Sequence, residues 1–178
     1  MKLAIEQANL CVPVSSGYSV GAVLVQEAHS NPNSDLPQED RFRVVTTGYS
    51  RELPGNTHAE ECCLMKLASL EEEVKEEEKD IGVKAGEGSG AGTGVGTSNQ
   101  KKEWIMYTTM EPCSKRLSGN RPCADLLIES GVRRVYVGIR EPDHFVKKVV
   151  GVEKMAEKGV EVIHIQGFEK ECLAPNRH

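Results

Sequence analysis

Three short segments of the chain carry side chains that bind transition metals. They are His58-Ala59-Glu60, Pro112-Cys113 and Pro122-Cys123. One imidazole and two thiolates form a ligand set that suits zinc. Three protein ligands leave the fourth tetrahedral position open for water, which is typical of catalytic rather than structural zinc sites. The spacing therefore predicts a catalytic Zn²⁺ site with His58, Cys113 and Cys123 as its ligands.

Glu60 follows His58 by two residues, on what we expect to be the first turn of a helix. Side chains two positions apart on a helix diverge by about 200°, so Glu60 is poorly placed to be a fourth ligand. A carboxylate beside the metal can instead take a proton from the activated water and pass it on. Cys62 and Cys63 lie one turn later, where either could replace a ligand, although we expect both to pack in the core.

The elements that position these side chains follow from apolar periodicity and from turn residues. Dense apolar runs predict strands over residues 20–26, 42–49, 104–109, 132–139 and 160–165. Helical spacing and caps predict helices over residues 3–11, from Thr57 onward, and over 111–117, 123–130 and 145–158. This order predicts an α/β fold, a three-layer α/β/α sandwich on a five-stranded mixed sheet. Its first two strands form an antiparallel hairpin and its later strands are parallel.

Two of the ligands are expected at helix N-termini. Thr57 with Glu60 three residues later is typical of a capping box. Pro112 favours a first helical turn, so the sequence predicts a helix start at Cys113 as well as at His58. The dipole of a helix and its free backbone N–H groups favour a thiolate at such a position.

Composition excludes several classes of partner. Residues 71–80 hold seven acidic residues and two lysines, which accounts for the whole net charge of −5, so the remaining residues sum to zero. With eight aromatic residues in 178, neither counterion release nor base stacking favours a nucleic-acid partner. The apolar runs are too short to span a membrane, and the N-terminus is not a secretory signal. We therefore expect six reduced cysteines in a cytoplasmic protein, with the nucleus as the open alternative.

One segment lacks the apolar residues that a hydrophobic core requires. Seven of the seventeen residues in 82–98 are glycine, with serine and threonine between them. Such a stretch has high chain entropy and little to bury. The sequence predicts a single domain over residues 1–178, with a flexible acidic and Gly-rich insert at about 71–102.

These motifs together resemble the cytidine-deaminase superfamily of zinc hydrolases. Deaminases of nucleobases carry two residues between the cysteines, whereas nine separate Cys113 from Cys123 here. The longer run is Glu-Pro-Cys-Ser-Lys-Arg-Leu-Ser-Gly-Asn-Arg-Pro-Cys at residues 111–123. With residues 48–60, it resembles the pyrimidine deaminases of riboflavin biosynthesis, especially their fungal branch. The resemblance covers roughly residues 1–70 and 103–166.

The resemblance implies a cytidine-deaminase-like fold, one zinc ion and Glu60 as the catalytic proton shuttle. It implies a phosphorylated small-molecule substrate, 2,5-diamino-6-ribitylamino-4(3H)-pyrimidinone 5'-phosphate, whose C2 amino group leaves as ammonia. The ribosyl and the dephosphorylated forms stay open as substrates. Two further alternatives are a deaminase of cytidine, dCMP or a tRNA base, and a zinc-stabilised scaffold without catalysis. The inter-cysteine gap disfavours the first alternative, and the presence of Glu60 disfavours the second.

A substrate phosphate needs a local positive site, because the chain outside the insert is neutral. Four basic residues on loops beside the ligands are candidates: Arg51, Lys115, Arg116 and Arg121. Further candidates for substrate contacts are Ser50 and Asn120, which stand where bacterial relatives carry a His and a Lys, and Asn56, Ala59 and His178. We expect the tail from residue 167 to fold back near the zinc. Because the superfamily usually oligomerises, we also expect a homodimer.

Overall fold

The protein is described from a computed structural model, which covers residues 1–27, 42–83, 103–140 and 151–176. Its elements in chain order are α1 (Lys2–Ala8), β1 (Gly21–Glu27), β2 (Phe42–Tyr49), α2 (Ala59–Val83), β3 (Glu103–Met110), α3 (Cys123–Glu129), β4 (Val132–Ile139), α4 (Gly151–Glu157), β5 (Glu161–His164) and α5 (Glu169–Leu173), followed by a 3-10 turn (Ala174–Asn176). All five predicted strands are therefore present.

The strands form one mixed sheet in the order β2-β1-β3-β4-β5. β1 pairs with β2 and with β3 in antiparallel fashion, while β3, β4 and β5 are parallel. Parallel strands need a crossover connection, and α3 and α4 lie between β3, β4 and β5 in the chain. The predicted five-stranded mixed sheet is confirmed.

Helices cover both faces of the sheet. α2, α3 and α4 pack on one face, and α1 and α5 pack on the other. Successive side chains of a strand point to opposite faces. Accordingly, Ala22 and Leu24 of β1 belong to the larger core under α2, whereas Val23 and Val25 belong to the core under α1. The three layers agree with the predicted α/β/α sandwich.

Gly48 allows the start of α2 to lie directly on β2. A Cβ atom built on Gly48 would stand 2.4 Å from the carbonyl oxygen of Ala59 and 2.9 Å from Cβ of Cys62. Both distances are shorter than van der Waals contact, so a larger residue would push the first turn of α2 off the sheet. That turn carries Glu60 and follows His58, and the close approach thus sets their depth.

The predicted helix over residues 111–117 is wrong. Residues 111–122 form an extended loop, and helical structure begins at Cys123. A helix over these residues would carry the chain about 6 Å along its axis between residues 113 and 117. The loop instead doubles back, with Gly119 in the left-handed region at φ 81° and the N–H of Ala124 donating to the carbonyl of Cys113 at 3.2 Å. The two cysteines meet because no helix separates them.

Several other sequence predictions differ from the structure in extent. α2 includes residues 71–83, so the acidic first part of the predicted insert is helical. The tail forms α5 and a 3-10 turn, which periodicity did not indicate. Three further stretches lie outside the described residues: the connection between the first two strands at 28–41, the Gly-rich stretch at 84–102 and the predicted start of α4 at 145–150. No helix in the described part of the chain has both the length and the apolar character that crossing a bilayer requires.

Candidate active site

The three predicted metal ligands converge at the end of the sheet where β3 finishes. His58 lies immediately before α2, Cys113 lies in the loop after β3, and Cys123 is the first residue of α3. Ligands that are 55 and 65 residues apart in the chain thus come from two helix starts and one loop. Of the two helix N-termini predicted to carry ligands, the one at His58 is present, and the second belongs to Cys123 rather than Cys113.

The donor atoms are spaced as a tetrahedral zinc site requires. His58 Nδ1 lies 3.5 Å from Cys113 Sγ and 3.4 Å from Cys123 Sγ. All three donor atoms lie within 4.8 Å of one another. Zinc–nitrogen bonds of about 2.0 Å and zinc–sulfur bonds of about 2.3 Å, at tetrahedral angles, separate nitrogen and sulfur by about 3.5 Å. Both the residue types and the spacing therefore fit zinc.

The two sulfur atoms shift each other's pKa in opposite directions. A hydrogen bond from the Cys123 side chain lowers the pKa of Cys113 to about 4, while the same bond and burial raise the pKa of Cys123. The backbone N–H of Cys123 also donates to Cys113 Sγ at 3.4 Å. The contact between the two sulfur atoms therefore favours a thiolate within this pair, and a bound metal ion would require both cysteines in the thiolate form.

The start of α2 is capped differently from the sequence prediction. The backbone N–H of His58 donates to Glu61 Oε2 at 3.1 Å. The hydroxyl of Thr57 faces the preceding turn, where it donates to the carbonyl of Leu53 at 2.8 Å. Glu61 therefore holds the position that the sequence assigned to Glu60, since the helix begins one residue later than predicted. This shift leaves the carboxylate of Glu60 available to the site.

Glu60 is buried beside the ligand cluster, with an exposed fraction of 2%. The hydroxyl oxygen of Thr108, on β3, lies 3.1 Å from Glu60 Oε1 and 3.0 Å from the carbonyl oxygen of Met110. Burial raises the pKa of Glu60 because the charged carboxylate loses its hydration. A carboxyl group with a raised pKa is suited to accept a proton and release it again.

A pocket of about 330 Å³ opens onto the ligand cluster. Eight of the predicted site residues line it: Ser50, Arg51, Asn56, His58, Glu60, Cys113, Lys115 and Arg116. The sequence did not single out the other lining residues, which are Ser16, Gly17, Tyr18, Val20, Thr57, Met110, Glu111, Leu117 and Ser118. Residues 16–20 carry no local motif, and only the pairing of β1 between β2 and β3 brings this loop to the site.

Ser50 and Arg51 hold the wall of this pocket. The guanidinium of Arg51 donates to the carbonyls of Val12 at 3.0 Å and Tyr18 at 3.2 Å. Ser50 Oγ accepts the backbone N–H of Val20 at 3.0 Å. Arg51 itself has a φ of 66°, a conformation that side chains disfavour. Both residues thus tie the turn before α2 to the segment that precedes β1.

Three predicted substrate contacts lie away from the cavity. Ala59 is fully buried under β2. The side chain of Asn120 is exposed and donates to the carbonyl of Gly55 at 3.0 Å. Arg121 is exposed and paired with Glu129 on α3. None of the three is among the residues that line the pocket.

The tail reaches the pocket wall from outside. Asn176 Oδ1 accepts the backbone N–H of Ser19 at 2.6 Å, and Asn176 Nδ2 donates to the carbonyl of Ser19 at 3.2 Å. Ser19 lies between Tyr18 and Val20, which both line the pocket. His178 lies outside the described residues, so its predicted contact with substrate stays a prediction.

The segments that carry the site are shared with a known protein family. Residues 38–139 match the family described as the cytidine and deoxycytidylate deaminase zinc-binding region. The chain belongs to this deaminase family. Membership confirms the predicted fold and the predicted zinc-binding deaminase domain.

Relatives of this deaminase are found in fungi and bacteria. The diaminohydroxyphosphoribosylamino-pyrimidine deaminase of Schizosaccharomyces pombe is 37% identical over 173 residues, which are 97% of this chain and 33% of the relative. The chain therefore spans about a third of that relative's length.

Solved structures are similar to this chain over almost its whole length. The Rib2 deaminase of Aspergillus oryzae matches 98% of this chain and 87% of its own, with a TM-score of 0.72 and 30% identity. A further structure of that deaminase is a complex with DARIPP. The diaminohydroxyphosphoribosylaminopyrimidine deaminase/5-amino-6-(5-phosphoribosylamino)uracil reductase of Thermotoga maritima matches 99% of this chain and 38% of its own, with a TM-score of 0.60 and 26% identity.

Proposed function

We propose that this deaminase removes the C2 amino group of 2,5-diamino-6-ribitylamino-4(3H)-pyrimidinone 5'-phosphate, as a step of riboflavin biosynthesis. The observation that carries the proposal is the loop between Cys113 and Cys123, whose residues 115–118 form one wall of the pocket beside Glu60. A loop of this length is what distinguishes the chain from deaminases with a two-residue gap. The Rib2 deaminase of A. oryzae, which binds DARIPP, supports the same substrate class.

His58, Cys113 and Cys123 would hold the zinc ion, which when bound supplies the Lewis acidity that activates water near neutral pH. Glu60 lines the same pocket and is the one buried carboxyl group whose pKa burial raises among the described residues. We assign to Glu60 the transfer of a proton from the attacking water to the ring nitrogen and then to the leaving amine. Thr108 orients its carboxylate.

Lys115 is the basic residue best placed for the substrate phosphate. It lines the pocket, is exposed, and has no ion-pair partner among the described residues. Arg51 lines the same pocket, although two of its donors are engaged by backbone carbonyls. A lysine ammonium acts on a phosphate as a mobile point charge, which suits a flexible ribityl chain.

Release of ammonia from a set of pyrimidines tests the proposed reaction. The set contains the ribitylamino phosphate, its dephosphorylated form, the ribosylamino phosphate, cytidine and dCMP. We expect the highest kcat/KM for the ribitylamino phosphate, and a loss on dephosphorylation that Lys115→Met reduces in size. Preference for cytidine or dCMP would contradict the proposal and favour the nucleoside alternative. Zinc binding without ammonia from any of these compounds would favour the scaffold.

We also infer a single domain that forms a homodimer in the cytoplasm. Exposed apolar side chains on β2 and α2 offer a surface for association: Phe42, Val44, Met65, Leu70 and Val74. All six cysteines are unpaired, which suits a reducing compartment. Light scattering at micromolar concentration tests the dimer, and a monomer mass would refute it.

A further inference from the structure

An ion pair lies next to the ligand cluster and takes no part in the chemistry described so far. Arg116 Nη1 donates to Glu61 Oε2 at 2.7 Å. The side chain of Arg116 is 2% exposed and that of Glu61 is 20% exposed, so the guanidinium is almost completely removed from water. Placing a guanidinium there is costly unless its hydrogen bonds are used.

The bonds of this pair reach both halves of the ligand set. Glu61 Oε2 also accepts the backbone N–H of His58, at 3.1 Å. Arg116 Nη1 donates to the carbonyl of Arg121 at 3.3 Å, and Arg116 Nη2 donates to the carbonyl of Asn56. One end of the pair therefore holds the residue that provides the imidazole, and the other holds the loop that joins the two cysteines.

These contacts leave few N–H donors of Arg116 free to bind a substrate. Three of its five N–H donors are used within the protein, and its Nε is buried without an acceptor among the described residues. The neighbouring Lys115 is exposed and lines the same pocket. Arg116 lines this pocket too, but its guanidinium is hydrogen-bonded to protein groups, whereas Lys115 has no ion-pair partner among the described residues.

We propose that Glu61 and Arg116 are positioning residues that set the zinc affinity, because together they hold His58 against the loop carrying Cys113 and Cys123. Ligands from distant segments must be brought to one point before they bind a metal ion, which costs conformational entropy. An ion pair that already holds these segments together, here called the clamp, lowers that cost. This inference rests on the zinc-dependent site proposed above. It concerns metal affinity rather than the identity of the substrate.

Zinc affinity of the full chain tests the inference without any substrate. The dissociation constant is measured by competition with a chromophoric chelator, and the melting temperature is recorded on the same samples with chelator in excess. We expect Arg116→Met to weaken zinc binding about 10- to 100-fold, the range seen when partners of metal ligands are removed. Arg134→Met breaks a pair with Glu161 on β4 and β5, so it serves as the matched control and should leave zinc affinity unchanged.

Milder variants keep the test decisive if Arg116→Met does not fold. Arg116→Lys keeps the charge but has one nitrogen, so it cannot reach three acceptors and should lose part of the affinity. Glu61→Gln keeps an oxygen for the His58 N–H and should lose less than Glu61→Leu. In the double variant Glu61→Leu with Arg116→Met, the loss should be no larger than the greater single loss, since both act through one clamp.

Two results would overturn the inference. The first is a zinc dissociation constant within twofold of the wild type in folded Arg116→Lys and Glu61→Leu, whatever happens to their melting temperatures. This result would mean that the pair supports only the fold. The second is additive losses in the double variant, which would mean that the two residues act separately. A failure of the substrate proposal changes neither measurement, so the two proposals are tested independently.

Discussion

Replacing Glu60 by glutamine separates the chemistry of the site from its architecture. The amide has nearly the shape of the carboxylate, and its oxygen can still accept the hydroxyl of Thr108, which lies 3.1 Å from Glu60 Oε1. What the variant loses is a group that can take up and release a proton. We therefore expect Glu60→Gln to keep zinc and fold while turnover falls by about 10²- to 10⁴-fold, the range of a single proton shuttle. This loss corresponds to about 3 to 5 kcal/mol in the activation free energy.

The same substitution has a predictable effect on stability. Burial raises the pKa of Glu60 in the folded chain, so the folded state holds the proton of this carboxyl group more tightly than the unfolded state does. The stability that results is complete below the ordinary pKa of a glutamate and is lost as the pH rises through the raised pKa of the folded state. Glutamine has no charge to bury. Measured in the presence of a chelator, so that metal charge does not offset the cost, the variant should melt at or above the wild-type temperature. Its advantage should grow from acid toward neutral pH.

The assay combines ammonia release, zinc content and thermal melting on one preparation. Glu157→Gln, an exposed carboxyl group on α4, is the matched control and should behave as the wild type. Near-native turnover in Glu60→Gln would refute the role of Glu60 as acid and base. A lower melting temperature at neutral pH would refute the claim that burial of this carboxylate costs stability.

Four further outcomes are expected. Cys113→Ala should reduce zinc content to near zero by metal analysis, because two ligands hold zinc poorly, and full occupancy would contradict the ligand set. Thr108→Val should lower kcat about tenfold, as expected for one lost hydrogen bond to a charged group, while Thr108→Ser should not; equal values for both would contradict the orienting role. Replacing residues 82–99 by a short Gly-Ser link should leave melting and activity nearly unchanged, since loop length costs only about 0.6 kcal/mol per doubling, and a large loss of either would show packing. Deleting residues 174–178 removes the bonds of Asn176 to Ser19 and should raise KM at constant zinc content; kinetics identical to the full chain would contradict a role of the tail.

Much of the site could be predicted because its chemistry is written in residue types. An imidazole, two thiols and a carboxylate in fixed order exclude most alternatives, and the nine-residue gap between Cys113 and Cys123 separates one branch of the family from another. The strands could be predicted equally well, since a buried strand is a continuous apolar run whatever its neighbours are. The substrate contacts Ser50, Arg51 and Lys115 remain predictions that the pocket geometry accommodates.

Local sequence patterns predicted the wrong structure where the same residues can adopt several local conformations of similar free energy. Pro112 is compatible with a first helical turn and equally with a loop. The structure has the loop, which brings the sulfur atoms of Cys113 and Cys123 to the imidazole of His58. Glu60 and Glu61 are both able to cap α2, and a shift of one residue in the helix start decided which one caps and which one faces the pocket.

By itself, the sequence determined the strands and the family, and it predicted the three ligands and the proton shuttle, because each of these depends on residue type and on short spacing. Only the tertiary structure decided the strand order, the position of residues 16–20 in the lining of the pocket, and the burial of Arg116 between two segments of the site. Its partner Glu61 lies 55 residues away in the chain. The charge of an arginine is the same on a surface and in a clamp, so no local pattern distinguishes the two. The difference arises when the fold removes the guanidinium from water and presents it with a carboxylate and two carbonyl oxygens.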